Sequence, residues 1–284
     1  MKIPAYYGFW HHLGSWLLKV SSWLVLLFLI LPILVIVPLS FNAEPFFSFT
    51  EGMLRLDPEA YSLRWYQEIF NDPKWILAIK NSFFIGILST ILATILGTCA
   101  AVGLARDEMP FRRFITALLL SPMIVPLIIT AAGMFFFYSD LGLAGGYLGV
   151  ILAHAALGTP FVIITVTATL TGFDYSLARA ALNLGATPIR VFFDVIMPLI
   201  RPGVISGALF AFITSFDEVV VILFMAGPQQ RTIPRQMFSG LREQINPSIL
   251  AIATLLILVS IALLVTIELL RRRAERMRGI EIPN

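Results

Sequence analysis

Two adjacent carboxylates, Asp217 and Glu218, stand in an otherwise apolar run, with Ile213 and Phe216 before them and Val219, Val220 and Val221 after. A charged side chain in the middle of a membrane helix costs about 2.5–3.5 kcal/mol on insertion scales, so such a pair is kept for a reason. Two readings stand. The pair is a structural ion pair or capped polar contact between helices, or at least one member lines a pathway and balances a cationic solute. No Lys or Arg falls inside any apolar run, which favours a cation over an anion as the charge these groups meet. An intramembrane enzyme is the disfavoured alternative, because aspartyl chemistry needs two carboxylates sharing a proton across facing elements, and neighbours on one helix point about 100° apart. No catalytic residue is assigned. His154, the one histidine inside an apolar run, is read as a packed polar residue bonding a backbone carbonyl, and His11 and His12 show no metal-ligand spacing. The single cysteine, Cys99, excludes an intrachain disulfide and a zinc site, and is read as a buried, unreactive thiol. No metal site is expected, and no Gly-x-x-x-x-Gly-Lys-Ser/Thr sequence is present to bind a nucleotide.

The elements that must position these groups follow from composition. Of 284 residues, 58% are hydrophobic and only 13% charged, with mean hydropathy +0.87. A soluble domain carries about 25% charged residues to wet its surface. The apolar residues collect in runs at 23–39, 82–104, 114–137, 147–170, 203–225 and 249–270, long enough to cross a hydrocarbon core of about 30 Å as helix. The expectation is an all-α membrane protein of six transmembrane helices in one domain, 1–284. Its first run is a retained anchor, too long for a signal-peptide core. Pro32, Pro38, Pro122, Pro126 and Pro160 kink their helices, and Gly97 with Ala101 allows close approach of a neighbour. Of the 20 Lys and Arg residues, thirteen fall on the side of the termini and seven on the other, which places both termini in the cytoplasm. Arg271 to Arg278 read as an anchor at the lipid head groups. Tyr138, with Phe135, Phe136 and Phe137, closes the third run, either in an aromatic belt or as a hydrophobic gate. The outside loops, 41–80 and 226–248, are short for folded domains, with helical turns expected at 62–70 and 234–244.

The loop 171–202 between the fourth and fifth runs is the most informative segment. Leu177, Ala180, Ala181 and Leu184 repeat with the i, i+3, i+4, i+7 spacing of one helix face. Asp174 or Ser176 caps the start, and Gly185 suits a left-handed stop. A second helix opens with Thr187 as cap and Pro188 in its first position, shows Ile189, Phe192, Phe193 and Ile196 on one face, and is stopped by Pro198 and Pro202. The pair forms a rigid knob, lying on the lipid surface or fitting a groove on a cytoplasmic partner.

The stretch Arg179-Ala-Ala-Leu-Asn-Leu-Gly185, nine residues, then Val195-Ile-Met-Pro198, resembles the EAA motif of binding-protein-dependent ATP-binding-cassette importer permeases. Ala180, Ala181, Gly185 and Pro198 match it, while Arg179 stands where the motif has glutamate. Ser62-Leu-Arg-Trp-Tyr66 before Asn81-Ser82, then Ser215-Phe-Asp-Glu218 and Thr232-Ile-Pro-Arg-Gln236, resemble the spermidine/putrescine branch and its opine-type relatives. The resemblance implies the fold of the methionine- and maltose-type (MetI-like) permeases in a bacterial inner membrane. It implies a second homologous permease, a cytoplasmic ATPase dimer that uses ATP and Mg, a periplasmic substrate-binding protein and surrounding lipid as partners, with no cofactor on this chain and no nucleic acid. On this basis Leu177, Arg179, Ala180, Ala181, Leu184, Gly185, Ala186, Pro188, Phe192 and Pro198 are expected to couple to the ATPase. Asp217, Glu218, Phe216 and Tyr138 are expected to line the path. A stand-alone channel would leave the knob without a task.

Overall fold

The computed structural model describes residues 9–106, 108–243 and 246–277, with the side chains of 242–243 and 267–277 left aside. The side chains of the anchor expected at Arg271 to Arg278 therefore lie outside the described residues. The elements are helices: α1 (Phe9–Leu39), α2 (Glu51–Leu54), α3 (Arg64–Asn71), α4 (Pro73–Leu104), α5 (Arg112–Ile124), α6 (Leu127–Asp140), α7 (Tyr147–Leu170), α8 (Tyr175–Asn183), α9 (Pro188–Val191), α10 (Met197–Asp217), α11 (Val220–Met225), α12 (Ile233–Glu243) and α13 (Ser248–Met277). Among the described residues, five helices are long and apolar enough to cross a membrane, or six if the bent pair α5 and α6 is one span.

The chain forms two compact units. In the first, residues up to Phe70 join Glu243–Ile261. Here the Trp65 indole N–H donates to the Asn42 carbonyl at 2.7 Å, Ser40 Oγ and Tyr66 Oη share a hydrogen bond at 2.6 Å, and Asn246 donates to Glu68 at 3.2 Å. These bonds fold the segment after α1 into a cap with its own polar groups satisfied. Along α1 the large side chains, Trp16, Trp23 and Phe28 among them, stay exposed on all sides, as a helix solvated by lipid requires.

The second unit is built on α4, α7 and α10. Lipid tails are as apolar as leucine, so helices in a membrane associate through close van der Waals contact rather than through the hydrophobic effect. Small residues permit that contact. A Cβ built on Gly97 would stand 2.6 Å from Val162 Cβ, and one on Gly158 would stand 3.0 Å from Ala211 Cβ. Ala93, Ala101, Val162, Val166, Ile200 and Ala211 complete the seam. Cys99 lies two residues from both Gly97 and Ala101, on the far side of α4, and is exposed rather than buried.

Two spans depart from the continuous helices expected. The third, 114–137, breaks at Val125–Pro126, and α5 and α6 are bent by 105°. The cause is local. A residue before proline is pushed out of the helical region, and Val125 sits at ψ 135°. The fifth begins at Pro188 rather than at 203, because Pro198 and Pro202 do not stop it. Instead Phe192–Ile196 form a π turn in which the Met197 N–H bonds the Phe192 carbonyl, and this wider turn makes room for the Pro198 ring. That helix then ends at Asp217, Glu218 is extended at ψ 122°, and α11 restarts at Val220. Beyond the two breaks, α6 and α11 pack on each other and on α7 through Ala131, Val221, Ile222, Met225 and Leu157.

Candidate functional site

Both breaks open on one cavity of about 400 Å³. The bend of the third span (Pro122 to Leu127) forms one wall, Leu157 and Phe161 of α7 a second, and Thr214 and Glu218 the third. Where α5 stops at Ile124 and α10 stops at Asp217, the last backbone carbonyls of each helix lose their intrahelical partners. A helix C-terminus also carries a partial negative charge. Glu218 is 7% exposed, and its Oε1 accepts the Val221 N–H at 2.9 Å, so it holds the start of α11 while facing the cavity. Asp217 is exposed at the end of α10. The same breaks also begin α6 at Leu127 and α11 at Val220, so helix C-termini, helix N-termini and the Glu218 carboxylate meet here.

The carboxylates are thus not at mid-helix, and the 100° argument about neighbouring helical residues does not apply to them. Of the four path residues expected, Glu218 alone is in the cavity lining. Phe216 stacks on Phe212 at 5.3 Å between centroids and meets Phe83 edge-on at 5.2 Å, on the α4 side. Tyr138, near the far end of α6, is half-buried against the cluster of Ala131 and Met225. His154 bonds a side chain rather than a backbone carbonyl: its Nδ1 lies 2.8 Å from Ser215 Oγ, one turn before Glu218, and its Nε2 has no partner. The third-span break had a signal in Pro122 and Pro126. The break at Glu218 has neither proline nor glycine to announce it.

At one end of the unit, α8 and α9 form the knob. The Asp174 carboxylate accepts the Ser176 N–H at 2.9 Å and the Ser176 hydroxyl at 2.7 Å, and these bonds hold it below its ordinary pKa. Gly185 has φ +90°, a conformation side chains rarely adopt, and Thr187 Oγ1 accepts the Arg190 N–H at 3.4 Å ahead of Pro188. Ala178 and Val191 turn inward. Leu177, Arg179, Ala180, Leu184 and Pro198 are exposed, while Ala181, Ala186 and Phe192 are partly covered. No group of three or more His, Cys, Asp or Glu among the described residues could hold a metal ion.

At the opposite end, Asn81 Nδ2 donates to the carbonyls of Gln229 and Arg231 at 2.7 and 2.8 Å, and Tyr147 donates to Asn81 Oδ1 at 2.9 Å. Ser82 Oγ accepts the Ile233 N–H at 2.9 Å. Arg235 reaches the carbonyls of Ala226 and Gly227, and burial, then Arg231, lowers its pKa. This clasp ties the loop after α11 to the tops of α4 and α7. Asn81 and Ser82 meet the 229–233 segment although no periodicity links residues about 150 positions apart.

Residues 93–276 match the family described as binding-protein-dependent transport system inner membrane component. The chain is 31% identical over 246 residues to the spermidine/putrescine transport system permease protein PotC of Haemophilus influenzae, covering 87% of this chain and 93% of that one. It is 35% identical over 241 residues to the putrescine transport system permease protein PotI of Escherichia coli K12, covering 81% and 82%. Among solved structures, a bacterial ABC transporter that imports the acidic polysaccharide alginate has a chain of the same fold, with TM-score 0.72 at 16% identity over 93% of this chain and 99% of that one. With its helices, its two ends and its relatives in agreement, this chain belongs to the family of inner-membrane components of binding-protein-dependent transport systems, non-catalytic permease subunits that span the bacterial inner membrane several times.

Proposed function

We propose that this chain forms half of the translocation path of an ATP-binding-cassette importer for a small organic cation, of the polyamine class. Its relatives named for spermidine and putrescine support the class. The observation that carries the reading is the cavity at the two breaks, where Glu218 and the ends of α5 and α10 offer acceptors to a solute rich in N–H donors. Broken helices that present their ends and unwound carbonyls near mid-membrane are a recurring way to hold a charged solute in lipid. In this reading the knob end is cytoplasmic and docks on an ATPase dimer that hydrolyses ATP. The clasp end faces a periplasmic binding protein, and a second six-span permease completes the wall.

The test replaces Asp217 by Asn and Glu218 by Gln together, which preserves shape and hydrogen bonding but removes both charges. Uptake of putrescine and spermidine by the reconstituted importer should fall at least ten-fold, with assembly and binding-protein docking intact. A double variant that assembles and carries polyamine at the wild-type rate overturns the cation path and moves the assignment to an opine or another neutral solute.

A further inference from the structure

We infer that Arg179 is the charge-reading half of the contact between the α8 knob and the ATPase, and that the ATPase cleft sets a carboxylate against it. This rests on the proposal that an ATPase docks at the knob, and it goes beyond it by stating what that partner must carry.

The argument starts from which sides of α8 are covered. Ala178, at 9% exposure, marks the side that leans on the rest of the chain. At about 100° per residue, Leu177, Ala181 and Leu184 lie together on one flank, Ser176, Ala180 and Asn183 at the tip, and Arg179 on the other flank. Leu177 is 49% and Leu184 89% exposed, and the apolar surface continues onto Ile189 at 71% and Phe193 at 59%. Leu182, 44% exposed, and Tyr175 share the Arg179 flank, so this protruding helix, with leucines on one side and a guanidinium among apolar neighbours on the other, fits an apolar cleft that holds one acidic group.

Two occupants could cover this surface, anionic lipid or protein. Charge decides between them. Recognition of the cytoplasmic leaflet needs a cluster of basic residues. Here Arg179 and Arg190 are balanced by Asp174 and Asp194, all exposed, so the knob carries no net positive charge toward lipid. Asp174 is engaged in capping α8 and also feels the Arg179 charge, but Arg179 makes no ion pair within 4.0 Å among the described residues. An arginine taken from water into a protein cleft must be matched there by an acceptor of opposite charge, and a carboxylate matches its fork of donors in two parallel bonds. Arg179 stands where the motif it resembles has glutamate, so a cleft built for glutamate would present the wrong sign. Like charges across an interface reject a partner more effectively than a lost contact does. Arg179 therefore selects which ATPase this permease accepts.

The test purifies the complete importer and measures ATPase retained per permease, ATP hydrolysis stimulated by the loaded binding protein, and the salt dependence of both. Arg179→Glu should reduce retained ATPase at least ten-fold, while Arg179→Lys keeps most of it. Reversal of one cleft Asp or Glu on the ATPase to Arg should restore the Arg179→Glu complex and damage the wild-type one. Wild-type retention and salt dependence in Arg179→Glu would overturn the inference, as would a loss that no single acidic reversal restores. A loss seen in nanodiscs of anionic lipid but absent in zwitterionic ones would assign Arg179 to lipid instead. Failure of any ATPase to co-purify with the wild-type chain would reject the ATPase-docked reading itself, a separate result.

Discussion

Glu218 Oε1 accepts the amide N–H of Val221 at 2.9 Å, so the residue in the gap of the fifth span also starts the helix beyond it. One carboxylate has two tasks, and two substitutions separate them. Glu218→Gln keeps an acceptor for Val221, whereas Glu218→Ala removes it, and loss of a helix cap costs about 1 kcal/mol. Thermal unfolding in nanodiscs should show Glu218→Ala less stable than Glu218→Gln, with both losing cation uptake. Equal stability of the two would mean that the cap contributes nothing.

The bond between His154 and Ser215 joins α7 to α10 one turn before the gap. Removing one buried partner leaves the other unsatisfied, while removing both is close to neutral. Interhelical hydrogen bonds in membranes average about 0.6 kcal/mol in double-mutant cycles, with a maximum near 1.7. His154→Phe and Ser215→Ala are each expected to destabilise, and the double variant by less than their sum. Unfolding midpoints of the four proteins check this. Strict additivity would show that the pair is not coupled.

Gly97 and Gly103 both lie on α4 but differ in what surrounds them. A Cβ on Gly97 would meet Val162 at 2.6 Å, while one on Gly103 would meet nothing within 4 Å. Overpacking of a tight seam costs typically about 1–3 kcal/mol. Gly97→Ala should therefore lower the yield and melting temperature of the complex. Gly103→Ala should be neutral or raise them slightly, since alanine is the better helix former by about 1 kcal/mol.

At Gly185 the strain is in the backbone, for φ is +90° and open space surrounds the α-carbon. A left-handed residue costs about 1–2 kcal/mol with an ordinary side chain and less with asparagine. Gly185→Leu should leave membrane insertion unchanged and uncouple ATP hydrolysis from uptake, with Gly185→Asn intermediate. The ratio of substrate carried to ATP hydrolysed is the measurement. A wild-type ratio in Gly185→Leu would remove the knob from the coupling route.

The knob was legible because its signals are local: Asp174, Gly185, Thr187 and Pro188 each act on their immediate neighbours, and each does in the structure what its type dictates. The bend at Val125–Pro126 was half legible. Pro122 and Pro126 announced a disturbance, but proline bends many membrane helices without parting them. The gap at Glu218 was not legible, because its cause is tertiary. The packing of α11 on α6 holds the chain out of helical geometry there, and neither Asp217 nor Glu218 is a helix breaker strong enough to show it. Phe216 and Tyr138 lie near the carboxylates or the outer interface in sequence, and in the structure both rings are partly buried, Phe216 on Phe212 and Phe83 and Tyr138 against the cluster of Ala131 and Met225.

The π turn at Phe192–Ile196 has a mechanical consequence. Because it absorbs Pro198 without parting the helix, Pro188–Asp217 is one rod of 30 residues, about 45 Å long at 1.5 Å per residue. One end of that rod sits in the knob and the other at the gap beside Glu218. A tilt of about 5° around the contact of Gly158 with Ala211 moves the tip at Asp217, six residues or about 9 Å away, by less than about 1 Å. The same helix that enters the knob thus packs on α7 at Ala211 and ends in the wall that Thr214 and Glu218 form.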